Sequence, residues 1–123
     1  MPAMKMNHTE WQGQVVDLAN LLGWRHLHVR RTKGKGGHWT TSTNRTGWPD
    51  LFLWHPRHGF AAIELKVKPD LPTIDQVDVL AELGSAGDHP ARTCVAYPDD
   101  FDGVQDMLRG RTMGWEYRGA TRS

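Results

Sequence analysis

The sequence predicts a single mixed α/β domain, in which a small mixed β-sheet is flanked by helices in the order α-β-β-β-α-β-α. Three segments repeat apolar residues at helical spacing, and the stretches between them hold short apolar or alternating runs bounded by turn residues. A length of 123 residues, with 38% hydrophobic and 24% charged residues, fits one globular domain that builds a core without disulfides. The core is expected to cover about residues 9–108.

The first helix is predicted over residues 10–22. Thr9 is expected to cap its start with Gln12 completing a capping box, and Gly23 is expected to end it. Its apolar residues recur three and four positions apart, which predicts one buried face. These residues are Trp11, Val15, Leu18, Ala19 and Leu22.

Three strands and a long loop are predicted next. Residues 25–31 alternate between polar and apolar side chains, as a strand does, whereas residues 33–46 are rich in Gly, Thr, Ser and Asn and predict a mobile loop. An apolar run at 50–54, a turn at 55–59 and a second run at 60–67 predict a β-hairpin.

Thr73 is predicted to cap the second helix, with Gln76 in capping-box position and Gly84 or Gly87 as the stop. The predicted buried stripe of this helix is Val77, Leu80, Ala81 and Leu83.

Residues 92–97 predict a further strand, and Asp99 or Asp100 is expected to cap a third helix. Residues 115–117 favour a short final strand, and residues 118–123 a loose tail.

Cysteine usage and hydropathy predict a cytoplasmic protein. With Cys94 as the single cysteine, no internal disulfide forms, which suits a reducing cytosol. No apolar run approaches the roughly 20 residues that cross a bilayer, and the first residues lack the apolar core of a signal peptide. No membrane partner is expected.

Basic residues are concentrated in one segment, although the formal net charge is only +1. Residues 25–45 contain several Lys and Arg residues and no acidic residue. This segregation indicates a surface that faces a polyanion, although a solvated basic loop explains it equally well. The segment has glycines but lacks the spacing of a phosphate loop, so we interpret it as a flexible contact to a phosphate backbone. The residues expected to make this contact are Arg30, Arg31, Lys33, Lys35 and Arg45.

Two motifs place charged residues on the predicted hairpin. The segment 47–50 (Gly-Trp-Pro-Asp) leads into its first arm. Glu64 and Lys66 lie two apart on the returning arm, so their side chains leave the same face. Asp50, at the start of the first arm, can neighbour Glu64 in an antiparallel pair. We therefore expect two carboxylates and one ammonium to converge.

This cluster is suited to hydrolysis of a phosphodiester bond. A hard divalent cation held by carboxylates relieves the repulsion between the phosphate and its nucleophile. Asp50 and Glu64 are the expected ligands, with the backbone carbonyl of Leu65 as a third. Lys66 is placed to orient the attacking water and to stabilise charge on the phosphate. The structural alternatives are a turn cap for Asp50 and a solvated strand face for the other two, but the strand is largely apolar, where charged pairs are unfavourable unless used.

The segments 47–50 and 64–66 resemble the signature of the PD-(D/E)xK nuclease superfamily. The opening Thr9-Glu10 helix, its Leu-Leu-Gly-Trp end and the Thr-x-x-Gln start of the second helix resemble the VRR-NUC branch, the virus-type replication and repair nucleases. The resemblance implies a restriction-endonuclease-like core and a DNA endonuclease that depends on Mg²⁺ or Mn²⁺.

Further roles follow from the resemblance. Glu10 would be the acidic residue of the first helix, approaching the metal as a further ligand, and Gln76 the glutamine of the second helix. Short stand-alone members of the family can act as homodimers on branched DNA such as Holliday junctions. The setting would be phage or bacterial replication, recombination or repair in a bacterial host cell. The loop at 33–46 is longer than the family pattern suggests, which leaves the preferred DNA shape open.

Other interpretations remain at this point. One is a DNA-binding module without catalysis on a nuclease-like scaffold, and another is a nuclease that cuts RNA. The complete Asp, Glu and Lys set favours catalysis. The capping box alone explains Gln76, and a favourable interaction with the helix dipole explains Glu10. His26 and His28 share a strand face, but a zinc site has little support without a second pair of ligands.

Overall fold

The computed structural model describes residues 5–29, 31–33, 39–41 and 45–120, of which 31–33 and 39–41 are described by their backbone alone. It is a mixed α/β chain, as predicted. Its elements are α1 (His8–Leu21), β1 (Arg25–His28), β2 (Arg31–Lys33), β3 (Trp39–Thr41), β4 (Leu51–His55), β5 (Gly59–Leu65), α2 (Ile74–Leu83), β6 (Arg92–Ala96), a 3-10 turn (Pro98–Asp100) and α3 (Phe101–Leu108).

Among the described residues, four strands form one mixed sheet in the order β1-β4-β5-β6. β4 pairs antiparallel with β1 and β5, so the predicted hairpin is present, and β5 pairs parallel with β6. β2 and β3 form a separate antiparallel pair. The predicted strand at 25–31 is therefore divided between β1 and β2, and the segment predicted as a loop at 33–46 contains β3. The sequence missed this pair because its three-residue strands show no apolar alternation.

Helices cover both faces of the four-stranded sheet. On one face, Trp11 of α1 and Leu108 of α3 belong to the same apolar cluster as Ile63 of β5. On the opposite face, Leu80 of α2 belongs to a cluster with Ala62 of β5. Because successive strand residues point to opposite faces, β5 is buried from both sides over its second half. Any polar group in that part of β5 therefore lies inside the protein.

Asn7, not Thr9, caps α1. The side-chain oxygen of Asn7 accepts the backbone N–H of Glu10 at 2.8 Å, and the Glu10 carboxylate accepts the backbone N–H of Asn7 at 3.3 Å. The prediction from Thr9 and Gln12 is wrong because Asn7 and Glu10 offer the same reciprocal capping box two residues earlier. Gly23 ends the helix as predicted, in the left-handed conformation with φ +86°.

Thr73 and Gln76 form the capping box predicted for α2, with N–H to oxygen distances of 2.8 and 3.1 Å. Gly84 caps the other end. The buried face differs from the prediction, because it includes the polar Gln76 and is rotated accordingly. Its buried residues are Gln76, Val79 and Leu80, whereas Val77 and Leu83 are half-buried and Ala81 is exposed.

The chain after β6 departs from the prediction in two places. Asp100 occupies the cap position of α3, but its carboxylate accepts the backbone N–H of Tyr97 at 2.9 Å instead of an amide of the helix. In the described chain, residues 115–117 form no strand, and pairing at this point is limited to an isolated bridge between Thr93 and Gly114. This bridge nevertheless connects the segment to β6 of the sheet.

Candidate active site

The segment that leads into β4 is tied to α2. Thr46 donates its hydroxyl to Asp75 Oδ2 at 2.8 Å, and Arg45 forms an ion pair with Glu82 at 2.9 Å. Gly47 adopts φ +85° and lies so close to α2 that a Cβ there would be 2.5 Å from the backbone of Asp75. Glycine is required at such a position. This close passage sets the course of the chain into β4.

Asp50 stands immediately before β4, and its carboxylate meets the end of β5. Its Oδ2 accepts the backbone N–H of Leu65 at 2.9 Å. Leu51 lies opposite Ile63 in the β4–β5 register, so the next position brings Asp50 beside Glu64. An interaction with the Glu64 side chain helps to lower the pKa of Asp50. The structure therefore brings the two acidic groups together.

Glu64 is a buried carboxyl within an apolar strand. It is 1% exposed, and Ile63 and Leu65 beside it are buried as well. Moving a carboxylate from water to such a site is unfavourable unless a partner neutralises it. A metal cation beside the carboxyl would reduce this penalty.

His8, which the sequence did not single out, completes the polar cluster. It is the first residue of α1, and its Nε2 lies 3.1 Å from the carbonyl oxygen of Leu65 and 3.4 Å from Asp50 Oδ2. These contacts join residues 57 and 42 positions apart in the chain. Because the packing of α1 on the sheet creates them, no local pattern could have found His8.

Hydrogen bonds fix the charge of Asp50. Burial acts to raise its pKa, but hydrogen bonds from His8, Glu64 and the Leu65 N–H outweigh burial and hold the pKa at about 2. The same hydrogen bond to Asp50 raises the pKa of His8. Asp50 is therefore an anion at neutral pH, which is the state that binds a metal cation.

Lys66 follows β5 directly and acts on the same cluster. Its backbone N–H donates to the carbonyl oxygen of Ala96 at 3.0 Å, next to the Leu65–Ala96 pair that ends the parallel ladder. Its positive charge lowers the pKa of His8, against the larger effect of Asp50. The positive charge of Lys66 therefore acts on His8 in the cluster.

Glu10 and Gln76, the two helix residues implied by the family resemblance, have structural contacts. Glu10 is exposed, and its carboxylate is directed to Asn7 at the helix end. The first-helix residue that contacts Asp50 is therefore His8 instead of Glu10. Gln76 is buried, and its Oε1 closes the α2 capping box. That contact explains its position without a catalytic role.

Arg45 is the member of the expected phosphate-contacting set whose side chain the structure describes. It is exposed and pairs with Glu82 at 2.9 Å. Its charge is therefore partly compensated in the protein. Arg30 and Lys35 lie outside the described residues, and so do the side chains of Arg31 and Lys33.

The oxygen atoms of the site suit a hard divalent cation. They are the carboxylates of Asp50 and Glu64 and the carbonyl of Leu65. Within the described part of the chain, no three His, Cys, Asp or Glu side chains form a group that could hold a metal ion. A cation here would therefore complete its shell with water and substrate oxygens. Mg²⁺ is bound in this way beside phosphates, by one or two carboxylates. Carboxylate and carbonyl oxygens are the donor atoms that Mg²⁺ and Mn²⁺ prefer.

Comparison with known proteins found no counterpart: no protein-family model, no curated protein and no solved structure matches this chain. The likeness to the VRR-NUC branch therefore depends on the motifs. Across the residues that the structure describes, no helix has both the length and the apolar character needed to cross a bilayer.

Proposed function

We propose that this chain is a metal-dependent DNA endonuclease that hydrolyses phosphodiester bonds, with Asp50, Glu64 and Lys66 in its active centre. One observation carries the proposal: Asp50 and Glu64 lie side by side where β4 and β5 pair, and the Asp50 carboxylate accepts the backbone N–H of Leu65. One of these groups is buried and the other is an anion with a pKa of about 2. The resemblance of the same residues to the PD-(D/E)xK signature supports the assignment.

We assign each of these residues a role in the proposed reaction. Asp50 and Glu64, with the carbonyl of Leu65, would hold Mg²⁺ or Mn²⁺. When bound, such a cation polarises a phosphoryl oxygen and lowers the pKa of a coordinated water. Lys66 would orient the attacking water and stabilise the charge that develops on the phosphate. Glu64 is 1% exposed, so the packing around it restricts the movement of its carboxyl.

The finer parts of the proposal concern the family and the substrate. We infer a VRR-NUC type nuclease with a restriction-endonuclease-like core, acting on branched DNA such as a Holliday junction in the cytoplasm of a bacterial host. A four-way junction has two equivalent strands to cut, which favours a homodimer. The basic residues within 25–45 would contact the DNA backbone, and Arg45 would exchange Glu82 for a phosphate.

A cleavage panel tests the proposal. The wild-type chain is incubated with linear, forked, flapped and four-way DNA and with RNA of matched sequence, each with Mg²⁺, Mn²⁺ or a chelator. We expect metal-dependent cuts in DNA that fall by roughly 100-fold or more in Asp50→Asn and Lys66→Ala. Binding to DNA is expected to persist. His89→Ala, which changes an exposed turn residue, is the matched control.

The panel also separates the alternatives. Full cleavage by either active-site variant contradicts the proposed roles. A wild-type chain that binds every DNA but cuts none would be a DNA-binding module on a nuclease-like scaffold. Faster cutting of the matched RNA would make the chain an RNA nuclease.

A further inference from the structure

We propose that an aromatic surface on the sheet binds unpaired bases of a DNA strand by stacking. The surface, which we call the aromatic patch, consists of the half-buried Trp48 and Phe52 and the exposed Trp54 and Phe60. The choice of DNA over other polymers rests on the proposed function, but the binding surface does not depend on the cation site. Three observations support it: the open sheet face, the row of rings, and the surrounding charge.

The patch lies on the part of a sheet face that α2 leaves open. Phe52 lies opposite Ala62, and Trp54 opposite Phe60, in the β4–β5 register. Ala62 belongs to the apolar cluster with α2, so these side chains share the α2 face of the sheet. α2 packs against β5 and β6, and towards β1 the same face is exposed. There Trp54 and Phe60 are 41% and 47% exposed, and Leu27 of β1 is 54% exposed.

The rings of the patch form a connected row. The ring centroids of Trp48 and Phe52 are 6.1 Å apart, and those of Phe52 and Phe60 are 5.7 Å apart. Neighbouring large apolar side chains exposed on one face indicate a binding surface. Every base has a π-face, and proteins hold single-stranded DNA without reading its sequence by stacking bases on aromatic side chains. The row therefore has the chemistry to hold unpaired bases.

The patch also faces the same side of the sheet as the acidic pair. Phe60 and Glu64 are four residues apart in β5, so their side chains leave one face. At about 3.3 Å per residue, they are about 13 Å apart along the strand. Phe52 follows Asp50 by two residues, which is about 7 Å on the same scale. A DNA strand whose bases stack on the patch would therefore have its backbone close to the acidic pair.

The charges around the patch suit a polyanion. Arg25 lies opposite Trp54 in the β1–β4 register, and Arg57 lies in the hairpin turn; both are exposed. Residues 18–49 and 51–63 contain no Asp or Glu. Cations beside an aromatic surface are the combination that holds the phosphates and the bases of one strand.

The acidic side chains of α2 that contact the segment before the patch are engaged there. Asp75 Oδ2 accepts the Thr46 hydroxyl at 2.8 Å, and Glu82 pairs with Arg45 at 2.9 Å. Their negative charge is therefore partly compensated on this side of the helix.

A second copy of the chain suits this surface less well than DNA does. In a two-fold symmetric interface the patch would face the same patch of the other copy. Arg25 and Arg57 of both copies would then be brought together, and the sequences of β1, β4 and the turn between β4 and β5 contain no carboxylate to pair with them. A DNA strand supplies the missing negative charge.

DNA binding in the presence of a chelator, where no metal-dependent cut occurs, tests the proposal. Fluorescence anisotropy measures the affinity for labelled oligothymidine of about 16 nucleotides, for the same strand paired with oligodeoxyadenosine, and for oligouridine. The variants are Trp54→Ala, Trp54→Leu, Phe60→Ala and Arg25→Ala. The matched control is Met113→Ala, which shortens an apolar side chain of similar exposure, 48%, next to β6 at the other edge of the sheet.

We expect Trp54→Ala and Phe60→Ala each to weaken binding of oligothymidine by about tenfold, because each removes a stacking surface. Trp54→Leu keeps an apolar side chain but has no π-face, so it should weaken binding nearly as much. Binding of the paired duplex should change by less than about threefold, since its bases are not free to stack on the protein. Arg25→Ala should reduce the salt dependence by about one phosphate contact. The control should bind as the wild type does.

Three results would overturn the inference. Wild-type affinity for oligothymidine in both alanine variants, or in Trp54→Leu, removes the stacking role. Tighter binding of oligouridine than of oligothymidine contradicts the choice of DNA. If sedimentation shows that Trp54→Ala converts a dimer into a monomer while its affinity for DNA persists, the patch is an interface between copies. Circular dichroism checks that each variant is folded, and Phe60→Ala serves if Trp54→Ala does not fold.

Failure of this inference is distinguishable from failure of the proposed function. Metal-dependent DNA cleavage together with unchanged binding in the patch variants would remove the patch and keep the nuclease. Patch-dependent binding of oligothymidine by a chain that cuts no DNA with any metal would support the patch and remove the nuclease.

Discussion

Acid should destabilise this protein through Asp50 in a predictable way. The pKa of Asp50 falls from its ordinary value of 3.8 to about 2 in the folded chain, because hydrogen bonds from His8, Glu64 and the Leu65 N–H outweigh the opposing effect of burial. A folded-state pKa below the unfolded value means that the charged form stabilises the fold. This stabilisation is complete above about pH 4 and is lost as the pH falls through about 2.

The magnitude follows from the same difference in pKa. Each pKa unit corresponds to about 1.4 kcal/mol, so Asp50 contributes about 2 kcal/mol to the free energy of unfolding at neutral pH. The Asp50 side chain is 16% exposed, so solvent screens this contribution only slightly. A domain is typically stable by about 5–15 kcal/mol, which makes the effect measurable. Asp50→Asn removes the charge but keeps an oxygen that can accept the Leu65 N–H.

Urea unfolding followed by tryptophan fluorescence, with a chelator present, provides the assay. From neutral pH down to about pH 2, the wild-type chain is expected to lose about 2 kcal/mol more stability than Asp50→Asn. His8→Ala should lose an intermediate amount, because one of the three hydrogen bonds to Asp50 is removed. Parallel pH curves for wild type and Asp50→Asn would refute the reasoning, since Asp50 would then titrate equally in both states.

Gly47→Ala is expected to destabilise the fold by about 1–3 kcal/mol, because it combines positive φ with contact to α2. Gly13→Ala, where a Cβ meets nothing within 4 Å, should stabilise α1 by about 0.5–1 kcal/mol; similar melting temperatures for the two variants would contradict this contrast. Lys66→Ala is expected to reduce DNA cleavage by roughly 100-fold or more while leaving Mn²⁺ affinity within about twofold, and a parallel loss of Mn²⁺ binding would argue for a structural role. Arg45→Ala should change stability by less than about 1 kcal/mol, since its ion pair with Glu82 is exposed. It should also reduce the salt dependence of DNA binding by about one phosphate contact, and an unchanged salt dependence would remove Arg45 from the DNA surface.

The parts of the site that were predictable depend on short-range geometry. Strand alternation and the hairpin turn link Asp50 to Glu64, because an antiparallel register pairs positions on the two arms in a fixed order. The Thr73 and Gln76 capping box is also local, since it spans a single helical turn. The mixed sheet and its flanking helices followed from the same kinds of pattern.

The parts that were missed depend on long-range packing or on unmarked sequence. His8 reaches the site only because α1 packs across the end of β5. The burial of Gln76 rotates α2 away from the face that its apolar residues suggested. Asn7 and Glu10 form a capping box that was present in the sequence, but Thr9 offered a competing start two residues later. The role of His8 therefore depends on its neighbours in space, whereas the Asn7–Glu10 cap was missed because two local patterns competed.

The side chains of the site become steadily more exposed from Glu64 to Asp50 to His8. Glu64 is 1% exposed, whereas the side chains of Asp50 and His8 are 16% and 46% exposed. In the proposed reaction, a DNA phosphate would therefore approach from the His8 side, where it would meet the imidazole and Asp50 first. The buried Glu64 would act on that phosphate only through a cation held between the two carboxyls. A buried glutamate is for this reason compatible with chemistry on DNA. A substitution at Trp11 that shifts the packing of α1 should alter the approach of the phosphate before it alters the carboxyl pair.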